Sequence, residues 1–269
     1  MSECHLIPPV LLLGCGRMGM ALLQGWQAQG LAPSLVIDPA PVAIDAPHRR
    51  VGDAAGLPED FRPVVIVLAV KPQMADAALP RIAHLAGSAL VLSIMAGRTL
   101  ASLAEAFPAA TAIVRAMPNT PAAIGQGISV ACAGPHVSAP QQALCDRLLG
   151  AVGETAWVED EALLDPVTAI SGSGPAYVFL LAELLEAVGI EQGLPEALAR
   201  TLARQTVSGA GALLRASPAE ESAALRRAVT SPGGTTERAL AILMHETAWP
   251  QSIRAAIEAA KRRSRELAR

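Results

Sequence analysis

The first part of the chain alternates short apolar runs with segments of helical character, the pattern of a parallel sheet covered by helices. The predicted strands are 9–13, 35–38, 64–70, 89–94, 111–116, 128–133 and 155–158. Proline and glycine mark strand ends, as at Lys71-Pro72 and Gly97. We therefore predict an α/β fold with a parallel sheet for residues 1–162.

From about Asp165 the chain becomes rich in alanine and leucine and lacks a convincing strand. Residues 163–269 are therefore predicted to form an all-helical second domain. Its first helix begins at Pro175, and later helices are predicted over 195–215, 218–229, 235–247 and 250–267. Because the helix Pro175–Val188 is apolar nearly all round, a domain of about 100 residues can hardly bury it alone. We expect it to pack against a second subunit in an intertwined helical dimer.

A glycine-rich turn follows the first predicted strand, in the sequence Leu13-Gly14-Cys15-Gly16-Arg17-Met18-Gly19. The GxGxxG pattern is typical of a strand that leads into a helix carrying the pyrophosphate of a dinucleotide. Gly14 would permit the tight turn, Gly16 would let the backbone approach the pyrophosphate, and Gly19 would let the helix sit close to the strand. Alone, the pattern also fits a turn that merely reverses the chain.

Asp38 ends the second predicted strand, about 20 residues further on, where a carboxylate can accept hydrogen bonds from the adenosine ribose hydroxyls. The same carboxylate would repel a 2′-phosphate, which favours NADH over NADPH. Alternatively, the aspartate only opens the Asp38-Pro39 turn. With the glycine-rich turn, Val10–Asp38 predicts a nicotinamide dinucleotide site.

Three other segments carry candidate chemistry. Lys71, one of two lysines in the chain, follows a buried strand, where it either supplies positive charge to a ligand or only caps the strand end. The small residues of Ser93–Gly97 would let a nicotinamide ring approach the backbone, or form a plain turn. In Val229–Thr236, backbone N–H groups, hydroxyls and a helix N-terminus would hold a small carboxylate. An N-capped helix turn explains that last segment equally well.

Composition excludes several function classes. The net charge is −3 and the one basic cluster is Lys261–Arg265, which argues against a nucleic-acid partner. Although 52% of the residues are hydrophobic, no uncharged apolar stretch approaches the roughly 18 residues of a membrane span, and no export signal is evident. Four cysteines and five scattered histidines show no metal-ligand spacing. We expect a cytoplasmic protein without a metal site.

Three longer stretches are more specific than any of these motifs. They are Arg115-Ala116-Met117-Pro118-Asn119-Thr120-Pro121, Thr168-Ala169-Ile170-Ser171-Gly172-Ser173-Gly174-Pro175-Ala176-Tyr177 and Ser231-Pro232-Gly233-Gly234-Thr235-Thr236. With the glycine-rich turn, they resemble the pyrroline-5-carboxylate reductase family over about Leu11–Leu267. The resemblance implies an N-terminal Rossmann domain, a C-terminal helical dimerisation domain, and often a decamer built as a ring of five dimers. It also implies hydride transfer from NADPH or NADH to the C=N bond of 1-pyrroline-5-carboxylate, which gives L-proline.

The resemblance also assigns roles to residues. The cofactor contacts that it implies are Leu13, Gly14, Cys15, Gly16, Arg17, Met18, Ala69, Val70, Lys71, Pro72, Met95, Ala96 and Gly97. The substrate carboxylate would be held by Ser231, Gly233, Gly234, Thr235 and Thr236. Thr168 would hydrogen-bond the ring nitrogen as the catalytic residue, and Glu161 is a further candidate substrate contact. Two positions depart from the family: many relatives have a hydroxylic residue near Asp38, and some have an amide at Ala228.

The expected reaction asks for no strong general acid, because a cyclic imine can enter protonated and mainly needs alignment with the nicotinamide. One alternative is a β-hydroxyacid dehydrogenase of the 6-phosphogluconate type, a class that resembles this chain but has a lysine on the first helix of its second domain. Residues 171–190 contain none. The other alternative, a non-catalytic dinucleotide sensor, leaves Ser231–Thr236 without a role.

Overall fold

An eight-stranded sheet forms the centre of the first of two compact units in the computed structural model, which describes residues 6–267. The strands are β1 Val10–Leu13, β2 Leu35–Ile37, β3 Arg49–Val51, β4 Val65–Leu68, β5 Leu90–Ser93, β6 Ile113–Met117, β7 Gly127–Ala133 and β8 Gly153–Val158. Their order in the sheet is β3-β2-β1-β4-β5-β6-β7-β8. The strands from β3 to β6 are parallel, which gives the 3-2-1-4-5-6 arrangement of a Rossmann fold.

The strand prediction needs two corrections. All seven predicted strands are present, but β3 was missed because Arg49-Arg50-Val51 has no apolar run and lies at the sheet edge. The sheet is also not wholly parallel, since β7 runs antiparallel to β6. Only a short 3₁₀ turn, Thr120–Ile124, joins these two strands, whereas a parallel connection needs a crossover of about a dozen residues or more.

Helices cover both faces of this sheet. Those of the first unit are α1 Arg17–Ala28, α2 Ala75–Ala78, α3 Leu100–Ala104, α4 Ala139–Gly150 and α5 Leu164–Val167. Alternate residues of β1 enter different cores: Leu12 packs in the cluster that contains Trp26, and Leu11 in the cluster that contains Phe107. The indole N–H of Trp26 donates to the backbone oxygen of Leu148 at 2.8 Å, which ties α1 to α4.

The compact first unit extends past residue 162, where the sequence pattern placed the domain boundary. Its described residues continue to Gly172 and also include 260–267. Leu164 is fully buried against Val130 and Cys132 of β7, so α5 packs on the sheet. Residues 163–172 are therefore helical, but they pack on the sheet as part of the first unit.

The second unit, Ser173–Ala259, is all-helical in its described structure. Its helices are α6 Gly174–Glu191, α7 Glu196–Ala216, α8 Ser222–Ala228, α9 Thr235–Leu243 and α10 Trp249–Leu267, the last of which ends within the first unit. α6 packs on α7, where Gly189 meets Ala199 and Arg200 pairs with Glu186 at 2.9 Å.

None of the residues of α6 is buried, and the Phe179 side chain is 67% exposed. Among residues 6–267, the helical stretch Glu161–Glu191 is long and apolar enough to cross a membrane, judged by length and composition alone. The part of this stretch that forms α6 contains Glu183 and Glu186. An apolar surface of this extent marks an interaction site.

Candidate active site

Three of the predicted cofactor segments lie side by side at the carboxyl edge of the sheet. The backbone N–H of Ala69 donates to the oxygen of Leu13 at 2.8 Å, and that of Ile94 donates to Leu68 at 3.0 Å. These bonds align the turns that follow β1, β4 and β5. The structure therefore brings together the glycine-rich turn, Ala69–Pro72 and Met95–Gly97 at the edge where open α/β sheets bind ligands.

The three glycines of the first turn have different surroundings. Gly14 has φ +92°, and a Cβ there would lie 2.8 Å from the carbonyl carbon of Ala69. At Gly19 a Cβ would overlap the carbonyl oxygen of Gly14. At Gly16, by contrast, a Cβ would meet no heavy atom within 4 Å. Protein packing thus excludes side chains at Gly14 and Gly19, whereas the open space above Gly16 fits a cofactor pyrophosphate against the backbone.

Asp38 lies immediately after β2 and already has two hydrogen bonds. Its Oδ2 accepts from the backbone N–H of Cys15 at 2.6 Å, and its Oδ1 accepts from Ala40 at 2.8 Å. The turn-opening role is therefore present, and the carboxylate also holds the glycine-rich turn. Since a carboxylate has about four acceptor positions, these bonds leave capacity for ribose hydroxyls.

A cation that the sequence pattern did not single out lies beside this turn. Arg50, on the missed strand β3, donates from Nη1 to the backbone oxygens of Asp38 at 2.7 Å and Ala40 at 3.0 Å. Its guanidinium group therefore brings positive charge to the end of β2. Its sequence signal was hidden because a short polar edge strand looks like a loop.

The turn after β5 is held by Arg98, which was also not predicted. Its Nη2 donates to the backbone oxygen of Pro72 at 3.1 Å and to Asp76 Oδ1 at 2.7 Å. Met95 is only 2% exposed and packs in the core, so its side chain is not available to a ligand. The Lys71 residue is exposed beside the same turn.

Glu161 forms a junction rather than an open contact site. One oxygen, Oε1, accepts from Arg115 Nη1 at 2.7 Å and from the backbone N–H of Leu100 at 2.8 Å. Only 7% of the Arg115 side chain is exposed, and 26% of the Glu161 side chain. Arg115 opens the predicted Arg115–Pro121 motif, so this buried cation gives the motif a structural reason. The geometry gives Glu161 a role in joining β6, α3 and the segment before Thr168, and the substrate contact expected of it stays a prediction.

Thr168 begins a π-helical turn, Thr168–Gly172, which follows α5. Such turns are frequent at functional sites. The Thr168 hydroxyl donates to the backbone oxygen of Leu164 at 2.7 Å. Because its hydrogen is used in this bond, the oxygen can offer lone pairs to a ligand. Gly172 lies against the methyl group of Met117, which places the turn beside the end of β6.

The Ser231–Thr236 segment lies in the second unit and leads into α9. Gly233 has φ +72°, and its N–H donates to Glu237 Oε2 at 2.8 Å, while the N–H of Gly234 donates to Ser231 at 3.0 Å. The N-capped turn is therefore present, with Glu237 bridging back from the first turn of the helix. These bonds use two of the expected amides, which leaves the first-turn N–H groups of Thr235 and Thr236 and the hydroxyls for an anion.

The thiol groups of the described cysteines are held in their uncharged form by burial. Cys15, Cys132 and Cys145 are free and buried. Burial, with a smaller effect from Asp38, raises the pKa of the Cys15 thiol to about 11, and burial raises the pKa of Cys145 to about 12. Cys4 lies outside the described residues. Within residues 6–267 no group of three or more metal-ligating side chains is present.

Comparisons with known proteins agree with this arrangement. The family model for the pyrroline-5-carboxylate reductase dimerisation domain matches residues 161–267, and a model for F420-dependent NADP oxidoreductases matches residues 9–97. The chain is 38% identical to the pyrroline-5-carboxylate reductase of Pseudomonas aeruginosa, over 97% of each protein.

Solved structures give the same result. A pyrroline-5-carboxylate reductase structure from Coxiella burnetii is similar with a TM-score of 0.87 and 30% identity, over 97% of this chain and 98% of that one. A pyrroline carboxylate reductase from Plasmodium falciparum with NADP bound has a TM-score of 0.83 and 28% identity, over 97% and 98%. The resemblance, the Rossmann fold with its helical dimerisation domain, and the use of NAD(P)H are confirmed. The chain belongs to the pyrroline-5-carboxylate reductase family.

Proposed function

We propose that the protein reduces 1-pyrroline-5-carboxylate to L-proline with NADPH or NADH, the last step of proline biosynthesis. Its membership of the family over nearly the whole chain supports the reaction. The observation that carries the cofactor half is the open space above Gly16, between two glycines that packing requires. A fold that binds no dinucleotide would have no need to keep this position empty.

The cofactor would be held mainly by backbone. In the proposal the pyrophosphate rests on Gly14–Met18 at the start of α1, where N–H groups have no partner inside the helix. The nicotinamide half lies along Ala69–Pro72 and Met95–Gly97, and Asp38 meets the adenosine ribose. Bound there, the nicotinamide supplies a hydride to the imine carbon.

Thr168 would orient the substrate ring. Because its hydroxyl hydrogen is donated to Leu164, the oxygen can accept a hydrogen bond from a protonated imine nitrogen. This selects the electrophilic form of the imine without a residue that changes protonation state. The role explains why an alcohol, with no charge of its own, is enough for the reaction.

The substrate carboxylate would be held at the start of α9. The free first-turn N–H groups and hydroxyls of Thr235 and Thr236 supply the contacts, with the Ser231 hydroxyl. Gly233 and Gly234 would shape the loop, since their amides are already bonded to Glu237 and Ser231. Glu237 repels an anion, so the substrate would displace its carboxylate from Gly233 N–H or bind beside it.

We also propose the assembly and location that the family suggests. A homodimer would cover α6, and five dimers would form a decamer. The carboxylates Glu183 and Glu186 of α6, of which Glu186 is paired with Arg200, favour this use of the helix over membrane insertion. We expect a cytoplasmic enzyme without a nucleic-acid partner, since the net charge is −3.

The direct test is to follow oxidation of NADPH and of NADH separately on addition of pyrroline-5-carboxylate. We expect turnover with both cofactors and L-proline as product. Binding of cofactor without turnover would support the sensor alternative instead. Oxidation of a β-hydroxyacid with NADP⁺ would support the dehydrogenase alternative, which the absence of lysine from α6 does not favour.

A further inference from the structure

The last turns of α10 are fixed to the first unit by Asp165. The hydroxyl of Ser264 donates to Asp165 Oδ1 at 2.8 Å, and Arg265 Nε donates to Oδ2 at 3.2 Å. Ser264 is 7% exposed, and the Asp165 side chain is 14% exposed. Both oxygens of a largely buried carboxylate are therefore bound by the end of one helix, 99 and 100 residues further along the chain.

The same helix end also meets the turn after β5. Gly97 has φ +74°, and a Cβ on it would lie 2.6 Å from the backbone oxygen of Leu267 and 3.0 Å from its carbonyl carbon. Gly97 is thus held in its left-handed conformation with the main chain of α10 directly against it. The turn is thus held at two places, by the hydrogen bond from Arg98 to the backbone oxygen of Pro72 and by the contact of Gly97 with Leu267.

These two contacts hold the two segments that, in the proposed function, position the hydride donor and the hydride acceptor. Asp165 lies in α5, and one turn later the same helical stretch reaches Thr168. Gly97 belongs to the Met95–Gly97 turn that would receive the nicotinamide. The end of α10 therefore contacts both the segment that would orient the substrate ring and the turn that would receive the nicotinamide.

We propose that the end of α10 is a brace that positions the nicotinamide turn and the Thr168 turn relative to each other. The inference rests on the proposed function. Ser264, Arg265 and Leu267 act as positioning residues through Asp165 and Gly97 and touch neither cofactor nor substrate. A displacement of about 1 Å between reacting groups can slow a reaction about a hundredfold, so loss of either anchor lowers the rate of the chemical step.

Two variants separate the two anchors. Ser264→Ala removes the hydroxyl from Asp165 and leaves Leu267 in place. A stop codon in place of Glu266 removes Leu267 but keeps Ser264 and Arg265. Because this truncation also removes the exposed pair between Arg263 and Glu266, the matched control is Arg263→Ala.

The first measurement is hydrogen–deuterium exchange of each variant without ligand. We expect Ser264→Ala to exchange faster in the peptide around 163–170, and the truncated chain in the peptide around 93–99. The control should match the wild type in both peptides. Unchanged exchange in both variants would show that the anchors do not hold these turns and would overturn the proposal.

The second measurement is a single turnover of enzyme preloaded with NADPH and mixed with saturating pyrroline-5-carboxylate. The amplitude reports the fraction of competent enzyme, and the rate constant reports the chemical step. We expect each variant to lower the rate constant about tenfold or more at unchanged amplitude. A lower amplitude at the wild-type rate constant would mean that the helix end only stabilises the fold, which overturns the proposal. No turnover by the wild type would refute the proposed function, while the exchange data would still test the anchors.

Discussion

Replacement of Gly16 by alanine separates cofactor binding from folding more sharply than any other change in the glycine-rich turn. The backbone of Gly16 has φ −69° and ψ −167°, an extended conformation that alanine adopts without strain. Its new Cβ would meet no heavy atom of the protein within 4 Å. We therefore expect the unfolding free energy of Gly16→Ala to stay within about 1 kcal/mol of the wild type.

The effect on the cofactor follows from the same geometry. The added carbon stands about 1.5 Å off the backbone, in the space where the pyrophosphate is proposed to lie. A shift of about 1 Å lengthens N–H to oxygen contacts from about 2.9 Å beyond useful range. Since a hydrogen bond to a charged group contributes about 1.5–3 kcal/mol, loss of one raises the Kd for NADPH about ten- to a hundredfold.

Two matched variants complete the experiment. Gly19→Ala should lower the unfolding free energy by about 1–3 kcal/mol, because its Cβ overlaps the carbonyl oxygen of Gly14. Gly150→Ala, at an exposed position of α4 with nothing within 4 Å of the new carbon, should change neither property appreciably. Urea denaturation gives the stabilities, and quenching of tryptophan fluorescence by NADPH gives the Kd. Wild-type affinity in Gly16→Ala would refute the placement of the pyrophosphate.

Three other substitutions test single residues. Asp38→Ser removes the charge expected to repel a 2′-phosphate and should raise the ratio of kcat/KM for NADPH over NADH about tenfold; an unchanged ratio would contradict the selectivity role. Glu161→Gln weakens the ion pair with Arg115 and should lower the unfolding free energy, measured in urea, by about 1–3 kcal/mol. The KM for pyrroline-5-carboxylate should stay within about twofold of the wild-type value. A large rise in KM at unchanged stability would instead support a substrate contact by Glu161. Thr168→Val should lower kcat about tenfold or more, while Thr168→Ser keeps the hydroxyl and most of the rate; equal rates would remove the hydroxyl from the mechanism.

The features predicted well from sequence are those that depend on backbone and on local pattern. The packing roles of Gly14 and Gly19 could be assigned in advance, because a strand–turn–helix unit of this kind leaves no room for a side chain at either position. The buried strands were found for a similar reason, since a short run of apolar residues between turn residues is typical of a buried strand. β3 was missed because it lies at the sheet edge and has no such apolar run.

The features that the sequence did not reveal are contacts between distant side chains. Nothing near Glu161 indicates that its carboxylate meets Arg115 and the N–H of Leu100, and its place near Thr168 suggested a substrate contact instead. Asp165 likewise meets Ser264 only because the chain returns to the first unit at its end. A local pattern carries information about what a residue can bond, and only the tertiary fold selects the partner.

Association with a partner copy would stabilise the second unit, in addition to any role in function. Seven large apolar residues of α6 are between 42% and 67% exposed, namely Val178, Phe179, Leu180, Leu184, Leu185, Val188 and Ile190. Full burial of such a side chain contributes about 1.5–3 kcal/mol, so covering their exposed halves is worth on the order of 5–10 kcal/mol. This equals the whole stability of a typical domain. We therefore expect the unit that carries Ser231–Thr236 to need a partner copy for its folded state, so that activity and helical content fall together on dilution.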